Sequence, residues 1–209
     1  HYVLDLWFEK CIKKQLYGEA YLVRFADDFL IMFQYERDAQ RVYEAIIKRM
    51  ELFGLELFKE KTRILPFGRY SVSRETFDFL GFTHFNSKTR KGYYSVGHKI
   101  SRKKKKQFKS NLKKWVKENR DKQFDEFMKK LNKKLTGSFN YYSLSGMIRE
   151  VRNLWNHAQY VTFKWLNRRS QRRSFKLERF YEIWNDLIVH PYIHVDIWSG
   201  DKVIYNKNV

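Results

Sequence analysis

The chain has one cysteine, Cys11, so it cannot close an internal disulfide. One thiol and six scattered histidines, His157, His190 and His194 among them, give no ligand spacing for structural zinc, and they read as structural residues. Cys11 itself reads as a small core hydrophobe in a reducing compartment. No stretch approaches the roughly 18 apolar residues that a transmembrane helix requires, so no membrane span is expected. There is no charged-then-apolar leader. His1 opens inside an amphipathic pattern, and the expectation is a chain that begins mid-protein. Internal repeats and low-complexity tracts are also lacking, apart from a lysine-rich run around Lys103.

Apolar residues make up 43% of the 209 and aromatics 18%, which exceeds what a disordered chain carries despite 32% charged residues. The length suffices for a real core and for two compact units. Charge divides the chain: residues 1–98 hold 16 basic and 13 acidic side chains, residues 99–209 hold 27 and 10, and the total is +20. A near-neutral part joined to a strongly basic one implies a chemistry-bearing unit and a unit that holds a polyanion. A lipid surface would also attract such charge, but these cations sit on long helices with packed apolar stripes, so no membrane partner is expected.

His1 to Gln15 places Val3, Leu4, Trp7, Phe8, Cys11 and Ile12 on one stripe and reads as a helix on a sheet, with Asp5 and Glu9 solvated. From Tyr21 to Phe33, two β-branched and aromatic runs flank Asp27 and Asp28, which gives a tight hairpin with both carboxylates at its tip. Glu36 to Phe53 is a helix with Gly54 as its left-handed cap. Leu55-Glu56-Leu57 and Thr62-Arg63-Ile64-Leu65 alternate like strands. Residues 71–76 read as a loop and 86–92 as a turn. Four helices follow: Ser101-capped to about Asn119, Phe124 to Leu135, Leu144 to Trp165, and Leu177 to Ile188, each with a stripe that needs a partner. The fold class is α+β, with a β-hairpin, helix and strands followed by an α-helical bundle.

The string Gly18-Glu19-Ala20-Tyr21-Leu22-Val23-Arg24-Phe25-Ala26-Asp27-Asp28-Phe29 resembles the catalytic hairpin of group II intron reverse transcriptase/maturases, with Phe25 where the usual box has Tyr. Gly54-Leu55-Glu56-Leu57 with Glu60-Lys61-Thr62-Arg63 resembles the next motif of that family, and Phe77-Asp78-Phe79-Leu80-Gly81-Phe82 resembles the hairpin that holds the primer end. Lys164-Trp165-Leu166-Asn167-Arg168-Arg169-Ser170-Gln171-Arg172-Arg173-Ser174 and Leu135-Thr136-Gly137-Ser138-Phe139-Asn140-Tyr141-Tyr142 are similar to its thumb, or maturase, domain. The resemblance implies a partial reverse-transcriptase palm at 1–98 and a basic helical thumb at 99–209; residues 192–209 are the least diagnostic.

It further implies an RNA-directed DNA polymerase of a mobile intron that also binds intron RNA to assist splicing. The alternative is a non-catalytic RNA-binding maturase fragment. Nucleotide addition requires charge neutralisation and alignment, which two divalent ions such as Mg²⁺ supply. Asp27 and Asp28 carry over as the catalytic, metal-binding pair, with Asp28 the less direct ligand because adjacent side chains on extended backbone diverge. Lys61 carries over as the residue facing the leaving pyrophosphate, against an ordinary solvated lysine. Leu80 and Gly81 carry over as the primer grip, against a strand that ends in a bulge. RNA binding falls to Lys103, Lys104, Lys105, Lys106, Arg168, Arg169, Arg172 and Arg173, the arginines pairing at i, i+4 if the helix continues through them. Phe139, Tyr141 and Tyr142 offer stacking surfaces, though aromatics between bundle helices are more often core. The implied partners are RNA template and primer, group II intron RNA and a DNA target, in the cytoplasm of a bacterium or in an organelle. The family also needs an aspartate from an earlier strand and a Pro-Gln-Gly segment, neither of which is present, so these 209 residues alone are expected not to polymerise.

Overall fold

The computed structural model describes residues 2–58, 60–169 and 174–192. The chain divides into two compact units, His1–Leu80 with Phe85–Val96, and Gly81–His84 with Gly97–Val209.

In the first unit the opening segment is helical but wound wide, as π-turns at Tyr2–Leu6 and Phe8–Ile12 followed by a 3₁₀ turn at Lys13–Gln15. Leu4 and Phe8, four residues apart, lie buried on one face. The neighbouring column fares less well. Val3 and Trp7 are only partly buried, and Cys11, last in that column, is exposed, which corrects its placement in the core.

Strands β1 (Ala20–Phe25) and β2 (Asp28–Phe33) pair antiparallel, with Tyr21 opposite Met32, Val23 opposite Leu30 and Phe25 opposite Asp28. Period-2 alternation gives the ribbon two faces. Ala20, Leu22, Phe29, Ile31 and Phe33 join Leu4 and Phe8 in the core, together with Val42, Ile46 and Met50 of helix α1 (Glu36–Leu52). The other face keeps Tyr21, Val23, Phe25 and Met32 exposed. Helix α1 ends as expected, with Gly54 at φ +66°. Near its start, buried Asp38 accepts the backbone N–H groups of Tyr17 and Gly18 at 3.0 and 3.1 Å, tying down the approach to β1. A Cβ on Gly18 would lie 2.7 Å from Gln34 Oε1 and from the Tyr35 ring, so any side chain there requires both of these to shift.

The strands expected at 55–57 and 62–65 do not form. Instead Phe58 to Thr62 closes a turn in which the Phe58 carbonyl accepts the N–H groups of Lys61 and Thr62 and the Thr62 hydroxyl. Alternation alone does not make a strand; it needs a neighbour to complete the ladder. A three-stranded sheet then forms in the order β3 (Thr76–Phe79), β4 (Phe82–Lys88), β5 (Tyr94–Ile100). Strand β5 went unforeseen.

In the second unit, Ser101 caps α2 (Arg102–Asn119) by accepting Lys104 N–H at 3.3 Å, as its sequence implies. Helix α3 (Phe124–Tyr142) runs past Leu135 through the aromatic stretch. Helix α4 (Ile148–Leu166) begins later than the apolar pattern suggests, after Gly146 at φ +82°. Helix α5 (Leu177–Leu187) completes the bundle. Val116, Phe127, Leu131, Leu154, Phe180 and Trp184 lie at its centre, with the Trp155 and Trp184 rings edge to face at 5.7 Å. Among the described residues no helix is long and apolar enough to cross a membrane.

Candidate active site and nucleic-acid surface

The hairpin turn consists of two residues, Ala26 and Asp27, and Asp28 opens β2. All three are exposed. Asp28 shares the open face of the ribbon with Phe25, while Asp27 sits on the turn itself. Ala26 is held at φ +51°, a left-handed conformation that alanine adopts at a cost and that clusters at functional sites.

Arg24, which the sequence reading passed over, supports this tip. Its Nη2 and Nε donate to the Asp5 carboxylate at 2.6 and 2.8 Å, and its Nη1 donates to the Ala26 carbonyl at 3.0 Å. The hydrogen bond from Arg24, then its charge, hold the Asp5 carboxyl below its usual value against the opposing effect of burial. Asp5 is therefore a partner of the hairpin and not a solvated residue. The signal was faint: an arginine inside an apolar strand, and an acid on the preceding helix.

Two adjacent carboxylates repel, and a hard divalent cation that takes oxygen ligands relieves that repulsion. Asp27 and Asp28 fit Mg²⁺ in donor type and accessibility. Among the described residues, no group of three or more His, Cys, Asp or Glu side chains converges to hold a metal ion. The pair thus supplies part of a coordination shell.

Lys61 is exposed in the turn after α1, its ammonium 4.7 Å from the Phe58 ring centroid. Leu80 and Gly81 form the two-residue turn between β3 and β4, at φ +50° and +82°. A strand bulge is not what they make; two consecutive positive φ values mark a hairpin turn of the kind that suits the strands' right-handed twist. The Gly81 carbonyl accepts Ser101 N–H at 3.0 Å, and a Cβ on Gly81 would stand 3.4 Å from Lys104 Cγ and 3.6 Å from the Tyr142 hydroxyl. Burial, and then the neighbouring Tyr141, push the Tyr142 phenol up.

Along α2, Lys103, Lys104 and Lys106 are exposed, whereas Lys105 is ion-paired with Glu150 of α4. Phe139 is buried in the bundle; Tyr141 is half exposed and stacks on Phe82 at 5.6 Å. Helix α4 stops at Leu166, Asn167 caps it, and Arg168 and Arg169 lie beyond it; the expected i, i+4 partners of these two arginines are outside the described residues. Arg168 is exposed over the Trp165 ring at 5.5 Å. Arg169 is half-buried and donates to the carbonyls of Leu166 and Arg120 at 3.3 and 3.4 Å. Arg172 and Arg173 fall outside the described residues, as does His194. His157 is half-buried on α4, its imidazole pushed down by burial and by Lys109.

Two family models match the chain, one over each part. Residues 2–84 match the family model "Reverse transcriptase (RNA-dependent DNA polymerase)". Residues 105–182 match "Group II intron, maturase-specific domain". The chain belongs to the group II intron reverse transcriptase/maturases. No curated protein and no solved structure gives a significant match.

Proposed function

We propose that this chain is the C-terminal palm, 1–98, and thumb, 99–209, of an intron-encoded RNA-directed DNA polymerase that also binds its intron RNA to assist splicing and mobility. The observation that carries the reading is the open, arginine-braced tip presenting Asp27 and Asp28 on an edge where substrate has access. There the carboxylates would hold Mg²⁺, which when bound neutralises the charge that develops in phosphoryl transfer. Arg24 fixes the tip, and Phe25 offers an apolar surface beside Asp28. Lys61 faces the leaving pyrophosphate, and Leu80 and Gly81 hold the primer end.

Lys103, Lys104, Lys106, Arg168, Arg169, Arg172 and Arg173 hold RNA backbone. Lys105 belongs to the same run, with its charge already engaged by Glu150. The partners are an RNA template and primer, group II intron RNA and a DNA target, in a bacterial cytoplasm or an organelle. Among the described residues no third carboxylate joins the pair; the reading holds that the 209 residues alone do not polymerise, and a binding-only maturase role is the second reading.

The two readings separate in a protein that carries these residues together with the preceding reverse-transcriptase segments. Asp27→Ala abolishes RNA-templated cDNA synthesis and leaves splicing assistance intact if polymerisation and RNA holding occupy different sites. Unchanged cDNA synthesis contradicts the polymerase reading. A salt-independent RNA affinity contradicts the basic bundle's role.

A further inference from the structure

The ends of α2 and α4 meet around one indole. Lys117 Nζ lies 5.7 Å from the Trp165 ring centroid, and the guanidinium carbons of Arg120 and Arg168 each lie 5.5 Å from it. No two of these cations are therefore more than about 11 Å apart, close to the Debye length of about 10 Å at 0.1 M salt, so they repel one another. The indole offsets part of that repulsion through its ring quadrupole. Carboxylates offset little: the Asp121 oxygen is 3.7 Å from Arg120 Nε on a mostly exposed side chain, and Glu118 stands 4.0 Å from Lys114. Arg120 Nε is buried and makes no hydrogen bond among the described residues.

The arrangement is also braced. Arg169 donates from Nε to the Leu166 carbonyl and from Nη1 to the Arg120 carbonyl, which ties the end of α4 to the end of α2. The Asn167 side-chain amide exchanges two hydrogen bonds with the Phe175 backbone, accepting at 2.8 Å and donating at 3.2 Å. A helix C-terminus favours a cation, but Arg168 already lies beyond its cap, and three cations around one ring exceed what two helix dipoles call for.

We propose that Lys117, Arg120 and Arg168, organised around Trp165, form a phosphate-binding site for the backbone of RNA. This rests on the reading that the bundle holds RNA, and it adds to that reading a particular site built from two helices that the basic-residue pattern did not single out. Guanidiniums present fork donors to phosphate oxygens, and the lysine adds a point charge. Arg169 also braces the two helix ends.

The test measures binding of a short oligouridylate to the protein across a salt series, for the wild type and for Lys117→Ala, Arg168→Ala and the double variant. Both side chains are exposed, and circular dichroism confirms that the variants fold. Each single change lowers the log–log salt slope by about 0.7 and the double by about twice that, the release expected for one phosphate contact apiece on a single strand. Lys48→Ala, which removes the same charge from α1, leaves the slope unaltered. A salt-dependent wild type with unaltered slopes in all three variants overturns this site and spares RNA binding by the bundle. A salt-independent wild type overturns both.

Discussion

Ala26→Gly separates stability from function at the hairpin tip. Ala26 sits at φ +51°, where an L-residue with a Cβ is held at a cost of about 1–2 kcal/mol. The residue is exposed, so removing its methyl gives up almost no burial. Against this relief stands the greater freedom of glycine in the unfolded chain, about 0.4–1 kcal/mol. The balance favours glycine by roughly 0.5–1 kcal/mol, which for a unit of this size raises the melting temperature by about 2–8 °C. The bond from Arg24 to the residue-26 carbonyl is a backbone contact and survives the change. The conformation of the tip is less restricted, however, and cDNA synthesis falls, by up to about 100-fold if the carboxylates wander by about 1 Å. Thermal unfolding followed by circular dichroism gives the first quantity, and primer extension by a protein that carries these residues together with the preceding reverse-transcriptase segments gives the second. A glycine variant that melts lower than wild type, or that extends primer equally well, refutes the argument that strain holds this tip.

Asp5→Asn probes the brace. Hydrogen bonding to Arg24 holds the Asp5 carboxyl below its ordinary 3.8 in the folded protein, so the stabilisation is fully present above that value and is lost as pH falls through the lowered one. In urea unfolding the variant is less stable than wild type near neutrality, and the gap closes in acid below pH 3.8; a gap that persists there removes the ion pair from the account. Gly81→Ala places a Cβ at φ +82° and 3.4 Å from Lys104 Cγ, destabilising by about 1–2 kcal/mol from backbone strain alone, and a chemical melt that shows no loss contradicts the turn geometry.

Local pattern carried much of the fold. The alternation of Tyr21 to Phe33, the Ser101 cap and the Gly54 terminator each express preferences of a few neighbouring residues, and each is realised in the structure. What local pattern did not reveal depended on distance. The alternating residues at 55–57 and 62–65 have no strand to pair with, and β5, interrupted by Gly97, alternates too weakly to be noticed. At the candidate site, Asp27 and Asp28 were legible because two carboxylates in an apolar hairpin are conspicuous. Arg24 and Asp5, 19 residues apart, were not, since only the packed helix brings them together. Likewise Arg168 was visible as one of a run, but its convergence with Lys117 and Arg120 on Trp165 depends on where two helices end.

The central claim is that Asp27 and Asp28 seat the metal at which nucleotide addition occurs. Fe²⁺ in place of Mg²⁺ reduces added hydrogen peroxide to hydroxyl radicals that cut the polypeptide beside the bound ion, with ascorbate returning Fe³⁺ to Fe²⁺; the sample is a protein that carries these residues together with the preceding reverse-transcriptase segments, on a primer–template. The account predicts a cut mapping to the hairpin tip around Ala26 to Asp28, lost in Asp27→Ala. A cut elsewhere in the chain, or one that survives that substitution, contradicts it.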